Sequence, residues 1–350
     1  MKIAFFPSAN PTTPYLLNLQ DELQGTNVEV RPSDKLRFGW LWQNRDLDVL
    51  HIHWLQGYTD DRRTAVAFLK LIYFTLWVLA AEHLCGMKIV WTLHNLYPHE
   101  MHHPRLARAA RLFLAKRASR LIVHCECAKG MAQREFGADP AKMAVTPHPN
   151  WIGKYPSGIS RVEAREKLGI QAGTRVFLFL GLIRPYKGVQ ELIQSYRELP
   201  PGDNLLLIAG KVSPDSLKQQ LEELAAGRDD IRLRFQFIPD EELQAYYAAA
   251  DVAVFPFQEV LTSGSVLLAM SFGTTVIVPN RGCIGDLMDG ANGIVYDPDQ
   301  PNALLQALQQ ATELDLAQMG QCAHDTAAEY SWAKFGQQHR ELYFGLRTQK

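Results

Sequence analysis

The sequence predicts an α/β protein made of two doubly wound parallel sheets, one in each half of the chain. Three observations carry that expectation. Short apolar β-rich runs alternate with helical stretches through the first half; a segment without period, PHPNWIGKYPSGIS, interrupts them; the alternation then begins again.

In the first half the strand-like runs are KIAFFPS, VEVRPS, DVLHIHW, KIVWTLHN, RLIVHCE and AVTPHP. Several are continuously apolar, as parallel strands covered on both faces are. The opening MKIAFFPSAN lacks a leader-length apolar core and reads as the first strand. Helices are expected from Tyr15 to Gln24, after Arg63, from Pro104 to Ala118 and from Ala128 to Phe136. The stretch from Ala65 to Cys85 is apolar and long enough to span a bilayer. Yet it separates two strands of what reads as one sheet, so it is expected to be a buried or membrane-facing helix. The prolines and glycines of PHPNWIGKYPSGIS mark a linker. The second half repeats the pattern with RVFLFLG, NLLLIAG, IRLRFQFI, DVAVFPF, TTVIVP and NGIVYD. Helices are expected from Gly188 to Leu199, Pro214 to Ala226, Asp240 to Ala249 and Ser263 to Phe272. The tail YSWAKFGQQHRELYFGL reads as one amphipathic helix. The expected domains are residues 1–155, 156–328 and a helix over 329–350 that crosses back to the first.

Composition narrows the functional classes. The chain has 350 residues, 47% hydrophobic and 21% charged, with a formal net charge of −1, which argues against nucleic acid as a main partner. Five cysteines stand without metal-site spacing, and they read as free thiols of a reducing cytosol. No G-x-G-x-x-G follows the first strand, which disfavours an NAD dehydrogenase.

In open α/β sheets, ligands bind beyond the carboxyl ends of the strands. Gly181-Leu-Ile-Arg-Pro-Tyr-Lys-Gly188 follows RVFLFL and precedes a helix. Glycine at each end admits close backbone approach, Arg184 offers a fork of donors and Lys187 a point charge. The set suits a diphosphate, and equally a solvated surface loop. Thr262-Ser263-Gly264-Ser265 opens an apolar helix after DVAVFPF. Unpaired amides and the helix dipole there suit an anion, and ordinary N-capping by Thr262 or Ser263 uses the same residues. Glu259, in the same loop, is placed to accept hydrogen bonds from hydroxyl groups or to stand in solvent.

In order, GLIRPYKG, IAG, DVAVFPF, TSGSVLLAMSFG and GDLMDGANGIVYDP resemble the donor domain of retaining GT-B enzymes such as glycosyltransferase family 4. DVLHIHW, KIVWTLHNLYPHE and PHPNWIGKYP are similar to related bacterial exopolysaccharide glycosyltransferases, so the resemblance covers nearly the whole chain. It implies a GT-B fold, two Rossmann-like domains facing a cleft. It also implies retaining transfer of a hexose from a UDP- or GDP-linked donor to a lipid-linked or saccharide acceptor, with no cofactor and no metal. Arg184 and Lys187 would then bind the donor diphosphate and steady it as it leaves. Gly264 and Ser265 would hold it through backbone, with Thr262, Ser263 and Glu259 completing the donor set. One departure is notable. The family carries a pair of glutamates around this turn, the second on the ribose; Leu268 stands where that second one is expected, and Glu259 matches the first only if the turn shifts by one residue.

In the first half, the resemblance puts His94, at the end of KIVWTLH, at the sugar site, where a neutral imidazole or its carbonyl orients the ring. His94, Arg184, Lys187 and Glu259 are the expected catalytic set. His51 and His53 alternate on one strand face, with His51 read as structural. His53 and Trp54 at the strand end, with Asn10 and Thr12 after the first strand, are the expected acceptor contacts. His99, His102 and His103 lack zincin spacing, so no metal site is expected. Arg105, Arg108, Arg111, Lys116, Arg117 and Arg120 form an expected basic amphipathic helix. It suggests peripheral docking on the inner face of the cell membrane, from the cytoplasm. Two other readings compete: a sugar-nucleotide epimerase of GT-B shape, which needs carboxylates these loops lack, and a degenerate non-catalytic sugar-nucleotide binder.

Overall fold

Each apolar run read as a strand forms one. In the first half these are β1 (Lys2–Phe6), β2 (Glu29–Arg31), β3 (Val49–Ile52), β4 (Lys88–Thr92), β5 (Arg120–Val123) and β6 (Met143–Val145). Between them lie α1 (Pro14–Leu23), α2 (Phe38–Gln43), α3 (Gln56–Thr59), α4 (Thr64–His83), α5 (Pro104–Arg117) and α6 (Glu126–Phe136). The computed structural model describes all residues except 11–12, 34–35, 99–100, 201 and 347–350, and Gln56 in its backbone alone.

The second half holds α7 (Arg161–Leu168), β7 (Arg175–Leu180), α8 (Val189–Arg197), β8 (Asn204–Ala209), α9 (Asp215–Ala225), β9 (Ile231–Arg234) and α10 (Leu243–Ala249). It continues with β10 (Val252–Val254), α11 (Gly264–Ser271), β11 (Thr275–Pro279), α12 (Gly282–Asp286) and β12 (Gly293–Tyr296). The last elements are α13 (Ala303–Gln310), α14 (Leu316–Ala328) and α15 (Trp332–Gly345).

Two six-stranded sheets result, in the orders β2-β1-β3-β4-β5-β6 and β12-β11-β10-β7-β8-β9. Every strand pair is parallel, as expected for strands with both faces covered. Pairings such as Phe6↔Ile52↔Trp91 in the first sheet and Leu180↔Ala209 in the second bring the strand ends, and the loops after them, together.

The chain forms two compact units, residues 1–148 with 331–350, and residues 149–330. The division falls at 148, not 155, because the linker is already tied to the second unit. Asn150 N donates to Tyr330 O at 2.8 Å and its Nδ2 to Ala327 O at 2.8 Å. Trp151 N donates to Ser271 Oγ at 2.9 Å. The tail helix α15 belongs to the first unit. There Tyr343 OH meets His51 Nδ1 at 2.7 Å, while His51 Nε2 meets Thr92 Oγ1 at 2.8 Å, so His51 ties α15 to the sheet.

The expected basic helix differs in two ways. It ends at Arg117, and Arg120 starts β5. Arg111 is buried, because α5 packs through Ala107, Ala110, Arg111 and Leu114, and position 111 falls on that stripe at helical spacing. Its Nη1 donates to Ala107 O at 3.0 Å, its guanidinium lies 5.6 Å from the Tyr97 ring, and burial lowers its pKa to about 10.

Candidate functional site

In the second unit, backbone packing aims the two cations. Gly181 follows β7 with φ 142°, and Gly210 follows β8 with φ 148°. A Cβ on Gly210 would lie 1.7 Å from Gly181 O, so only glycine lets these chains touch. Beyond them Ile183 N donates to Lys211 O at 2.9 Å and Ser213 N to Ile183 O at 3.0 Å. That zipper places Ser213 under Arg184, whose Nη1 donates to Ser213 Oγ at 2.9 Å. A short 3-10 turn over Pro185–Lys187 closes at Gly188, with φ 70°. A Cβ on Gly188 would sit 1.9 Å from Pro256 O, so the cationic loop lies directly on the end of the neighbouring strand.

Lys187 lies against aromatic rings, its Nζ 4.1 Å from the Phe257 centroid and 5.5 Å from that of Tyr186. Burial lowers its pKa to about 8, which keeps it largely protonated at neutral pH.

The helix start expected to bind an anion adjoins this loop. Ser263 is the N-cap of α11, its Oγ accepting from Val266 N at 3.4 Å. The amides of Gly264 and Ser265 precede the first intrahelical bonds and remain as donors at the positive end of the helix. A Cβ on Gly181 would meet Ser265 Oγ at 4.0 Å, so the β7 loop and the α11 start share one corner. Trp151 steadies that corner by donating from Nε1 to Gly264 O at 3.1 Å. Ser263 thus caps the helix in the same turn that carries the amides of Gly264 and Ser265.

Glu259 is exposed in the loop before α11, and Thr262 is half-buried. The turn after β11 holds that loop: Cys283 N donates to Leu261 O at 2.7 Å, and Arg281 Nη1 donates to Gln258 O. Leu268 is half-buried against the core, so α11 presents no carboxylate there. Ser213, which accepts from Arg184, and Arg281, which donates to the loop carrying Glu259, were not expected from the sequence. Their only sequence signal is a position just after a strand.

In the first unit the strand ends build an uncharged site. His53 and His94 are buried, and Trp54 stacks on His94 with centroids 4.5 Å apart at 15°. Tyr15, from α1, sets its ring edge-on to His94 at 4.9 Å. His53 Nδ1 lies 3.2 Å from His94 Nε2, and His94 Nδ1 lies 3.5 Å from His124 Nε2. His124 Nδ1 lies 2.7 Å from Thr146 O, which can only accept. Proton placement follows along the chain: His124 Nδ1 carries hydrogen, His94 Nδ1 donates to His124, and His53 Nδ1 donates to His94. Burial, reinforced by neighbouring imidazoles, pushes the His53 and His94 pKa values well below the usual range, and burial lowers that of His124 to about 4. The cluster is neutral at pH 7. Among the described residues no group of three or more His, Cys, Asp or Glu is arranged to hold a metal. Asn10 shapes the loop before α1, its N donating to Thr13 Oγ1 at 3.1 Å and its Nδ2 to Ser8 O at 3.0 Å. Thr12 and His99 lie outside the described residues.

Residues 174–313 match the family model described as Glycosyl transferases group 1. The chain is 28% identical over 319 residues to a D-inositol 3-phosphate glycosyltransferase of Corynebacterium urealyticum, covering 86% of this chain and 72% of the relative. It is 26% identical over 347 residues to the GDP-mannose:glycolipid 4-beta-D-mannosyltransferase of Xanthomonas campestris pv. campestris, covering 96% and 89%. Its fold matches the crystal structure of HepE from Anabaena in complex with UDP-glucose, with a TM-score of 0.73 and 17% identity over 99% of this chain and 100% of that one. Two Rossmann-like units, each with a parallel sheet, a group 1 domain and the glycosyltransferase names of these relatives lead to one assignment: the chain is a glycosyltransferase of the GT-B fold.

Proposed function

We propose that this enzyme moves a hexose from a UDP- or GDP-linked donor to a lipid-linked saccharide in polysaccharide or glycolipid assembly, without a metal ion, at the inner face of the membrane. The observation that carries the reading is that the loop bearing Arg184 and Lys187 leaves β7 at Gly181, beside Ser265 at the start of α11. Two fixed cations and a helix start supply to a diphosphate what a divalent ion supplies elsewhere. The Xanthomonas relative, named for a GDP-mannose donor and a glycolipid acceptor and similar over 96% of this chain, and the neighbour solved with UDP-glucose, support the donor and acceptor classes of this reading.

In this reading Arg184 and Lys187 stabilise the departing diphosphate, and Glu259 receives donor hydroxyls. His94 serves through its main-chain carbonyl, since its ring nitrogens face His53 and His124. His53, Trp54 and Asn10 border the acceptor. The leaving phosphate then accepts the proton of the attacking hydroxyl, with retention at the anomeric carbon.

The test is transfer of radiolabel from UDP-glucose and GDP-mannose to an extract of lipid-linked saccharides in EDTA, followed by NMR of the new linkage. Label in the organic phase with an α-linkage supports the reading. A β-linkage replaces retention with inversion and makes the chain functionally like the β-mannosyltransferase relative. Absence of transfer in EDTA, with transfer restored by magnesium, overturns metal independence.

A further inference from the structure

The helix α4 is the one helix among the described residues long and apolar enough to cross a bilayer by length and composition. Its packing rules out crossing within this fold. Phe74, Trp77 and Val78 are buried, Trp77 with its ring 5.0 Å from Phe6 of β1, and leaving the sheet would strip that core. Yet the opposite stripe is bare. Phe68, Leu69, Ile72, Tyr73 and Leu76 are exposed large apolar side chains, with Leu69 at 63% and Leu76 at 53%. They recur at helical spacing over about 12 Å of axis.

A second element widens the stripe. Helix α2 lies alongside α4: Phe38 meets Tyr73 edge-on at 5.4 Å, Tyr73 OH donates to Leu36 O at 2.7 Å, and Trp40 stacks on Trp77 at 6.3 Å. From α2, Phe38 is exposed and Trp42 is 66% exposed. Aromatic and aliphatic side chains thus form one continuous face, larger than scattered surface apolar residues account for.

Charge surrounds this face without entering it. Lys70 is drawn aside to Asp61 at 3.1 Å, and Glu82 is held by Arg117 at 2.6 Å. At the margins Arg37, Arg45 and Arg62 are exposed, Arg63 is paired with Asp61 at 3.3 Å, and the Arg45 guanidinium lies 4.8 Å from the Trp42 ring. An apolar face bearing Trp, rimmed by arginine, fits an interface of acyl chain and anionic headgroup. A second copy of the chain fits poorly, because a two-fold contact sets this arginine rim against itself.

We propose that the enzyme enters an anionic bilayer by the joint α2–α4 face and not by α5. The inference rests on the membrane-side function proposed above and specifies the surface that meets lipid. On α5, Arg111 is buried and Arg117 is ion-paired, which leaves Arg105, Arg108 and Lys116 as its outward cations. They add attraction at a distance; α2 and α4 supply insertion.

Vesicle flotation tests this with the full chain, on phosphatidylcholine alone and with about one-third phosphatidylglycerol. Three proteins are compared: wild type, Trp42→Ala/Leu69→Ser/Leu76→Ser, and Arg105→Ala/Arg108→Ala/Lys116→Ala. All three changes of the first variant lie on exposed side chains, and circular dichroism checks its fold. The expected result is wild-type binding to anionic vesicles, a loss of about a hundredfold or more in the first variant, and a loss of less than about tenfold in the second. Acyl-chain-brominated lipid should quench wild-type fluorescence, and quenching should drop in Trp42→Phe. If the first variant floats like wild type while the second does not, the face is wrong and the membrane reading stands. If wild type floats with neither vesicle, both fall. A lipid-free dimer by light scattering that becomes monomeric in the first variant makes a second copy the occupant and overturns the proposal.

Discussion

The two units share a six-stranded parallel sheet, yet they furnish its carboxyl end with opposite chemistry. The second unit uses backbone and fixed charge: glycines that let loops touch, amides of a helix start, and two cations, Lys187 against aromatic rings and Arg184 on Ser213. The first uses neutral side chains. Only His324 of the eleven histidines falls within residues 149–330, so ten belong to the first unit. The contrast teaches that one fold can prepare a charged ligand site or an uncharged, hydroxyl-rich one, according to what fills the strand-end loops. A diphosphate needs cations that persist in place; sugar hydroxyls need orienting groups that stay neutral.

The largest expected effect separates the units by acid. His124 and His339 have pKa values lowered to about 4 by burial, against an ordinary value of 6.5. The unfolded chain binds their protons first, so the stability these groups carry is full above pH 6.5 and is lost as pH falls toward 4. Each withdraws roughly 3 kcal/mol over that window. Hydrogen exchange at pH 7 and pH 4.5 should show protection collapsing in peptides of the first unit while those of the second persist. Equal loss in both units would erase the contrast.

Next in size is Gly188→Ala. With φ 70° and Pro256 O at 1.9 Å from the new Cβ, the cationic loop must lift from the strand end. Urea unfolding should show the second unit destabilised by about 3 kcal/mol. Gly137→Ala in the first unit, also at positive φ but with open space around its Cβ, should cost only about 1 kcal/mol.

Smaller still is the pH dependence of donor binding. Lys187 has a pKa of about 8, so its charge fades as pH rises through that value. UDP affinity should be highest below pH 8 and fall by about tenfold by pH 9.5, with proton uptake on binding; Lys187→Arg should flatten the profile. The smallest effect sharpens the donor site. Leu268→Glu should strengthen UDP binding by about fivefold and leave inorganic pyrophosphate unchanged, since the added carboxylate has only a ribose to meet.

Much of this is legible in the sequence because most of these parallel strands are buried on both faces and read as continuous apolar runs. The helices that escaped lack such a signature. Helix α2 is short and contains Gly39, and its outer residues are apolar where a soluble helix is polar. Helix α14 is fixed by Gly320, whose Cβ would lie 2.2 Å from Gly273 O, a packing contact that no local pattern reports. The cationic loop was legible because Arg184, Lys187 and their glycines are contiguous. The imidazole chain was not, since His53, His94 and His124 follow three different strands that only the sheet brings together. Arg111 misled because spacing along α5 gives the period of a face and not which face turns inward.

The most direct test of the central claim is metal-free calorimetry of UDP and GDP binding to wild type and Arg184→Ala. The account predicts that one nucleotide binds wild type in EDTA and that Arg184→Ala weakens it by at least about 1.5 kcal/mol, as loss of a charge-assisted contact should. Binding that is equal in the two proteins, or that appears only with added metal, would contradict a diphosphate site built from this loop and the start of α11.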